Sequence, residues 1–174
     1  MVNSVLSSLP TFYMCSITLP ATVIEQIDKY RRHCLWRGSD LNAKKPPLAA
    51  WKRVQRPKLK GGLGVINLRT QNTALLLKNW HKFFNKIDIP WVKLIWGKYY
   101  STGALPSDRS KGSFWWRKML KLLTIYKAMA QAILGHGDTI LFWQDLWNGK
   151  ILKLEFPKLF SFVGNDQLTV KTVL

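Results

Sequence analysis

Apolar side chains in the first part of the chain recur at intervals of three and four residues, which is the spacing of one face of an α-helix. The pattern predicts a helix over residues 2–17 with a kink or restart at Pro10, because proline interrupts helical hydrogen bonds. A second amphipathic helix is predicted from residues 20–22 to Gly38, where glycine ends the element. We therefore expect the N-terminal part of the protein to be helical.

Residue types that start helices recur along the chain. Thr22 and Glu25 have the spacing of a capping box, so they are expected to close the first turn of the second helix. Asn67 is a good N-cap for a helix that continues to about residue 85 with a wide apolar face. Pro90 and Ser113 are placed to begin two further helices.

Two short segments have the patterns of strands. Residues 48–54 are typical of a short strand, and three glycines at 61, 62 and 64 are expected to return the chain along residues 63–66. Residues 132–143 have the pattern of a β-hairpin. The predicted fold class is therefore mainly α, a helical bundle with a short β element around 48–66 and a small β-hairpin around 132–143.

A polar segment rich in turn-forming residues, 101–112, is typical of a linker. It divides the chain into a helical region over 1–100 and a second region over 113–174. A new alternating run begins at residue 168, shortly before the last residue, Leu174. We therefore expect the sequence to stop inside a domain.

The charge of the chain is strongly basic. Its 174 residues include 27 Lys or Arg and 9 Asp or Glu, which gives a formal net charge of +18. Between Asp40 and Asp88 there are eleven cations and no acidic residue. This balance points first to nucleic acid and second to an anionic membrane surface, and it favours nucleic acid because the charge extends over a folded chain.

The densest basic segment predicts the binding surface. Five cations lie within the nine residues from Lys52 to Lys60, and two more precede them. Lysine and arginine neutralise phosphates and release counterions without reading the base sequence. Trp51 is expected either to stack on a base or to pack inside the protein. The predicted nucleic-acid-binding residues are Arg31, Arg32, Lys44, Lys45, Trp51, Lys52, Arg53, Arg56, Lys58 and Lys60.

Residue patterns for catalysis and for cofactor binding are absent from the sequence. The glycines at 61–64 match neither dinucleotide-binding nor P-loop spacing, and the acidic residues are scattered rather than paired for two metal ions. Two cysteines and three histidines lie too far apart in sequence for a zinc site. We therefore expect no cofactor, no metal, no small-molecule substrate and no membrane partner.

Several sequence blocks occur in a consistent order over nearly the whole chain, and together they carry a family resemblance. The blocks are Val2-Asn3-Ser4-Val5-Leu6-Ser7-Ser8-Leu9-Pro10, Leu19-Pro20, Ile27-Asp28-Lys29-Tyr30-Arg31-Arg32, Leu35-Trp36-Arg37-Gly38, Trp51 with Pro57-Lys58 and Gly61-Gly62-Leu63-Gly64, Asn72 with Ala74-Leu75-Leu76 and Lys78, and Gly135, Gly137, Phe142-Trp143, Asp145 and Trp147-Asn148-Gly149. They resemble the region that follows the polymerase core in plant non-LTR (LINE-type) retrotransposon reverse transcriptases.

The resemblance implies a thumb-like region over 1–100 and, over 113–174, a connector that leads into a Cys/His zinc-binding segment. The polymerase palm with its paired aspartates would precede Met1, so the fragment is expected to be non-catalytic. His136 stands where relatives usually carry a small polar residue. The implied partners are RNA or an RNA/DNA template–primer duplex, together with the palm and zinc-binding parts of the same polyprotein. The expected location is the nucleus or the cytoplasm.

Two other functions are compatible with the sequence. The chain is compatible with a free-standing basic RNA-binding protein that has a structural or adaptor role. A polymerase that is active by itself is the other alternative, and a primer-extension assay separates it from the binding functions.

Overall fold

The computed structural model describes residues 2–38, 40, 46–107 and 112–174. Contacts divide the chain into two compact units, Met1–Leu76 and Leu77–Leu174. Within the described residues the regular structure is helical, and β pairing is limited to isolated bridges. The prediction of a mainly α fold is confirmed. None of the described helices is long and apolar enough to cross a membrane.

The first unit is built around a small apolar cluster. Met14, Ile24 and Leu68 are buried together, each at most 4 % exposed. The first helical turn ends at Leu6 and the chain restarts as a helix at Thr11 with Pro10 at its N-cap, which confirms the predicted kink or restart. The elements of this unit are a π-helical turn (Val2–Leu6), α1 (Thr11–Ser16), α2 (Ala21–Arg37), α3 (Trp51–Val54), a 3-10 turn (Lys58–Lys60) and the first part of α4 (Leu68–Phe84).

A buried amide fixes the connection between α1 and α2. Asn72, only 3 % exposed, lies on the core face of α4. Its side-chain oxygen accepts a hydrogen bond from the Leu19 N–H at 2.9 Å, and its amide nitrogen donates to the carbonyls of Met14 and Ile17, both at 2.9 Å. Because these backbone groups have no helical partner at the end of α1, the amide supplies the bonds they lack.

The second helix has the predicted extent but not the predicted cap. α2 ends at Arg37 and is followed by Gly38, whose φ of +68° lies in the left-handed region. The expected capping box is wrong, since Pro20 occupies the N-cap position and no side chain caps the helix. The carboxylate of Glu25 instead accepts a hydrogen bond from Arg32, two turns further along α2.

The predicted strand over residues 48–54 is wrong. The chain forms the short helix α3 there, with the Arg53 and Val54 amides bonded to the Ala50 carbonyl. The returning segment bonds to this short helix and to the turn after it, since the amides of Leu63 and Val65 both donate to the Val54 carbonyl and the Gly64 amide donates to the Arg56 carbonyl. A β-ladder needs a second strand, and a helical turn does not provide one.

The second unit is built around aromatic side chains. Trp80, Phe83 and Trp116 are fully buried, and the Trp80 ring lies 5.0 Å from the Trp116 ring between centroids. Trp80 donates its indole N–H to the Met119 carbonyl at 3.0 Å. The elements are the last part of α4, α5 (Pro90–Tyr99), α6 (Phe114–Leu120), α7 (Leu123–Met129), α8 (Leu152–Glu155), α9 (Pro157–Phe160) and α10 (Val170–Val173).

The predicted N-caps of two later helices are confirmed. The side-chain oxygen of Asn67 accepts hydrogen bonds from Arg69 N–H at 3.0 Å and Thr70 N–H at 3.2 Å. Ser113 accepts from Trp116 N–H at 3.2 Å at the start of α6. Each side chain supplies an acceptor for a first-turn amide that has no helical partner.

The predicted β-hairpin over residues 132–143 is wrong. Leu141 bridges to Thr169, and the Val170 amide donates to the Ile140 carbonyl at 2.9 Å. Asp145 also accepts a hydrogen bond from the Leu141 amide. The backbone groups that a hairpin would pair locally are therefore bonded to a segment about thirty residues later in the chain and to a side chain.

We expect Asn72→Ala to lower the free energy of unfolding of the first unit by about 2–3 kcal/mol, because backbone groups that are now bonded would lose their partners. Urea denaturation followed by circular dichroism measures the change. Thr73→Ala is the matched control, since the Thr73 hydroxyl bonds only to the Arg69 carbonyl of its own helix. Equal stability of the two variants would contradict the role assigned to Asn72.

Candidate nucleic-acid interface

Five predicted cations lie on α3 and the turn that follows it. Each is exposed, and none forms an ion pair with a described residue. We call this set the cationic surface, and its members are Lys52, Arg53, Arg56, Lys58 and Lys60. Because neighbouring acids do not neutralise these side chains, their positive charge faces solvent.

The glycines after the cationic surface make its turn possible. Gly61 has a φ of +73°, in the left-handed region. A side chain at residue 62 would begin 2.0 Å from the Arg56 carbonyl oxygen, so the chain approaches α3 closely only because Gly62 is there. The Gly64 amide then donates to the same carbonyl at 2.9 Å. The predicted tight turn is therefore present, although it folds against a helix rather than a strand.

The returning segment is also held from the N-terminus. The side chain of Asn3 donates to the Gly64 carbonyl at 3.0 Å and accepts from the Ile66 amide at 3.1 Å. The side-chain amide of Asn3 therefore forms two hydrogen bonds with the backbone of this segment. It connects the π-helical turn to the segment that leads into α4.

Arg31 is buried, unlike the other predicted cations that the structure describes. Its guanidinium is 0 % exposed and donates to the Asp28 carboxylate at 2.5 Å, to the Ser7 hydroxyl at 3.0 Å and to the Ile66 carbonyl at 2.6 Å. Asp28 is itself 7 % exposed. We call these four groups the Arg31 network. Its charge is compensated inside the protein, so Arg31 does not belong to the surface that solvent or a ligand reaches.

Trp51 and Arg32 lie beside the Arg31 network. The guanidinium carbons of Arg31 and Arg32 lie 5.5 Å and 5.8 Å from the centroid of the Trp51 ring. Arg32 also donates to Glu25 at 2.6 Å, and this hydrogen bond holds the pKa of the Glu25 carboxyl below its usual value. The half-buried Trp51 therefore contacts cations of its own unit, which favours the packed alternative over base stacking.

A groove of about 680 Å³ borders the cationic surface. Two members of that surface, Lys52 and Arg56, line it, and the first turn of α4 contains no acidic residue. Pro57, Ile66 and Ala74 form an apolar part of the wall, and polar side chains that can donate or accept hydrogen bonds line the remainder. They are Gln55, Asn67, Thr70 and Gln71.

Sequence reasoning did not assign these four polar residues to the site. Asn67 was expected only as a helix cap, and it has that role. Thr70 follows it on α4, away from the apolar positions that predict the core face, and this was the available signal, whereas Gln71 borders that face. Their proximity to Lys52 and Arg56 depends on the glycine turn, which sequence spacing does not define.

The remaining predicted site residues, Lys44 and Lys45, lie outside the described residues. Arg53, Lys58 and Lys60 are exposed beside the groove without lining it. Cys15 is exposed and Cys34 is half-buried. Within the described part of the chain, no three His, Cys, Asp or Glu side chains come close enough to hold a metal ion.

The cationic surface and its groove have the charge and shape that suit a polyanion. A similar protein is known from a sequence comparison. The chain is 34 % identical over 159 residues to an Arabidopsis thaliana protein named "Putative ribonuclease H protein At1g65750". The match covers 87 % of this chain and 25 % of that protein, so the chain spans about a quarter of the length of the relative. No protein-family model matches the chain. No solved structure matches it either.

Replacing Arg31 should destabilise the first unit rather than affect ligand binding directly. We expect Arg31→Met to lower the free energy of unfolding by about 3–5 kcal/mol, because Asp28 would keep a buried charge without its partner. Urea denaturation measures this change. The double variant Asp28→Asn/Arg31→Met should recover part of the loss, since it removes both charges.

Arg32→Met is the matched control, since its partner Glu25 is exposed and the pair contributes little to stability. If Arg31→Met left the free energy of unfolding unchanged and weakened the binding of nucleic acid, Arg31 would belong to the binding surface after all.

Proposed function

We propose that this chain is a nucleic-acid-binding segment of a retroelement-derived protein, and that its cationic surface holds a sugar–phosphate backbone. The observation that carries the proposal is the set of five exposed cations on α3 and its turn, none of them paired with a described acid. Phosphate contacts of this kind position a strand and do not select its sequence.

The groove beside the cationic surface gives the backbone a path. Lys52 and Arg56 supply positive charge on one wall, and Thr70 and Gln71 supply hydrogen-bonding groups on α4. Arginine binds a phosphate through two parallel N–H groups, whereas lysine acts as a point charge. In this proposal Arg56 orients a phosphate and Lys52 adds affinity.

A finer proposal concerns the parent protein. We infer that the chain derives from a plant non-LTR retrotransposon reverse transcriptase, C-terminal to the palm, and that its ligand is RNA or an RNA/DNA template–primer duplex. The sequence blocks described above support this origin, and so does the similarity to a plant protein named for ribonuclease H. The division into a thumb-like region, a linker at 101–112 and a connector belongs to the same proposal.

The proposed activity is binding, with no chemical step assigned to this chain. The Arabidopsis thaliana relative is named for ribonuclease H, and this chain matches a quarter of its length. Copying of a template would require the palm of the parent protein. Binding by this chain would then keep the duplex in place while another segment performs the chemistry.

Replacing Arg53, Arg56, Lys58 and Lys60 by Gln should weaken binding of a fluorescein-labelled RNA–DNA duplex, measured by fluorescence anisotropy over a series of salt concentrations. Each phosphate contact that is lost should reduce the slope of log K against log salt by about 0.9. The loss should be uniform across duplex sequences, because phosphates carry no sequence information.

The matched control removes the same charge from the second unit, by replacing Arg117, Lys118, Lys121 and Lys158 with Gln. All four side chains are exposed. A control that weakens binding as much as the first variant would attribute the effect to net charge. That result, or binding that does not depend on salt, would contradict the proposed function.

A further inference from the structure

A glycine lies in the last turn of α5 without a structural requirement for one. Gly97 is helical and its φ is not positive, so the backbone there accepts any L-residue. A side chain added at Gly97 would meet no atom of a described residue within 4 Å. Because glycine is less stable than alanine in a helix, neither conformation nor packing in the described structure explains its presence.

Two hollows meet at Gly97. One has a volume of about 690 Å³ and the other about 380 Å³, and both are lined by Lys93 and Gly97. The bare backbone of α5 is the floor that they share. A methyl group at this position would project into the open space beside both hollows, which together we call the channel.

Three lysines surround this channel. Lys93 and Lys98 line the larger hollow, and Lys86 lines the smaller one. Lys93 pairs with Asp88 at 2.5 Å, but both side chains are more than two-thirds exposed, so a phosphate can replace the carboxylate at little cost. Asp88 is the acidic group in the larger hollow and opposes the binding of an anion there.

The lysine in the smaller hollow is held in place. Lys86 donates to Asp138, and this hydrogen bond is the main reason that the pKa of Asp138 lies below its usual value. The ammonium group also lies 4.7 Å from the centroid of the Trp96 ring. Its position on the channel wall is therefore defined before a ligand arrives.

The aromatic ring beside the channel is not available to stack on a base. Trp96 lies parallel to Phe83 with centroids 4.6 Å apart, and Lys86 covers it as described above. Leu94, which is 66 % exposed, offers an apolar surface next to Gly97. Because the Trp96 ring is covered, a base cannot stack on it, whereas the apolar surface of Leu94 and the lysines can contact sugars and phosphates.

We propose that the strip of α5 centred on Gly97 is a second contact site for the sugar–phosphate backbone of nucleic acid. Glycine allows the strand to approach the helix backbone closely, and Lys93 and Lys98 then reach the phosphates on either side of it. The identity of the ligand rests on the proposed function. The site itself rests on different residues, in the second unit.

The experiment uses the full chain and the same fluorescein-labelled RNA–DNA duplex. Gly97→Ala should raise the midpoint of thermal unfolding and yet weaken binding, and these opposite signs exclude misfolding as the cause. At 0.1 M salt one lost phosphate contact should weaken affinity by up to about eightfold, since log K changes by about 0.9 for each tenfold change in salt.

Two further variants test the charges. Lys98→Gln should weaken binding and reduce the salt slope by about 0.9. Asp88→Asn should strengthen binding, because it removes the carboxylate from the larger hollow. Gly135→Ala is the matched control, since Gly135 also has open space around its Cβ position and no positive φ, but lies outside α5.

The outcomes separate this inference from the proposed function. Suppose that Gly97→Ala and Lys98→Gln both bind the duplex with wild-type affinity, while the variant of the cationic surface binds it more weakly. That result would overturn the second site alone. An effect of Gly97→Ala on sedimentation but not on duplex binding would assign the α5 face to a second copy of the chain and would also overturn it. A wild-type protein that does not bind the duplex would overturn both proposals.

Discussion

The first unit depends on one buried cation. The guanidinium of Arg31 is removed from water, and removing a charge from water is unfavourable unless close partners compensate for it. Asp28 supplies the opposite charge and accepts a hydrogen bond from one terminal nitrogen of Arg31, while the Ser7 hydroxyl and the Ile66 carbonyl accept from the other. These partners belong to three separate segments, so the network fixes the π-helical turn and the chain before α4 relative to α2. Trp51 packs against the same guanidinium and connects α3 to this arrangement.

The structure divides the basic residues into two roles. Arg31 stabilises the fold because its charge is paired inside it, whereas the cations of the cationic surface remain exposed because α3 and its turn bring no acid near them. Unpaired positive charges repel one another in a compact chain, and a polyanion relieves that repulsion. In the proposed function the groove beside Lys52 and Arg56 is the path of that ligand, and binding that does not depend on base sequence would hold a strand for chemistry performed by another segment.

Local signals in the sequence predicted the helices well. The restart at Pro10, the end of α2 at Gly38 and the cap at Asn67 each depend on residues within one helical turn, so a short window of sequence contains the cause. The apolar face of α4 followed from its spacing, and Leu68, Leu76 and Trp80 on that face are buried. The basic segment after Trp51 was also identified correctly as exposed, because runs of cations are rarely buried.

The sequence by itself therefore determined the helical class of the protein, the limits of the two long helices α2 and α4, and the position of its exposed positive charge. Only the tertiary structure decided the features that depend on distant partners. Residues 51–54 form a short helix instead of the predicted strand, and residues 140–142 bond to the segment near Thr169 instead of closing a hairpin. The burial of Arg31 and the meeting of two hollows at Gly97 were decided in the same way. Hydrophobic spacing describes one element at a time, whereas burial and pairing depend on which elements come together.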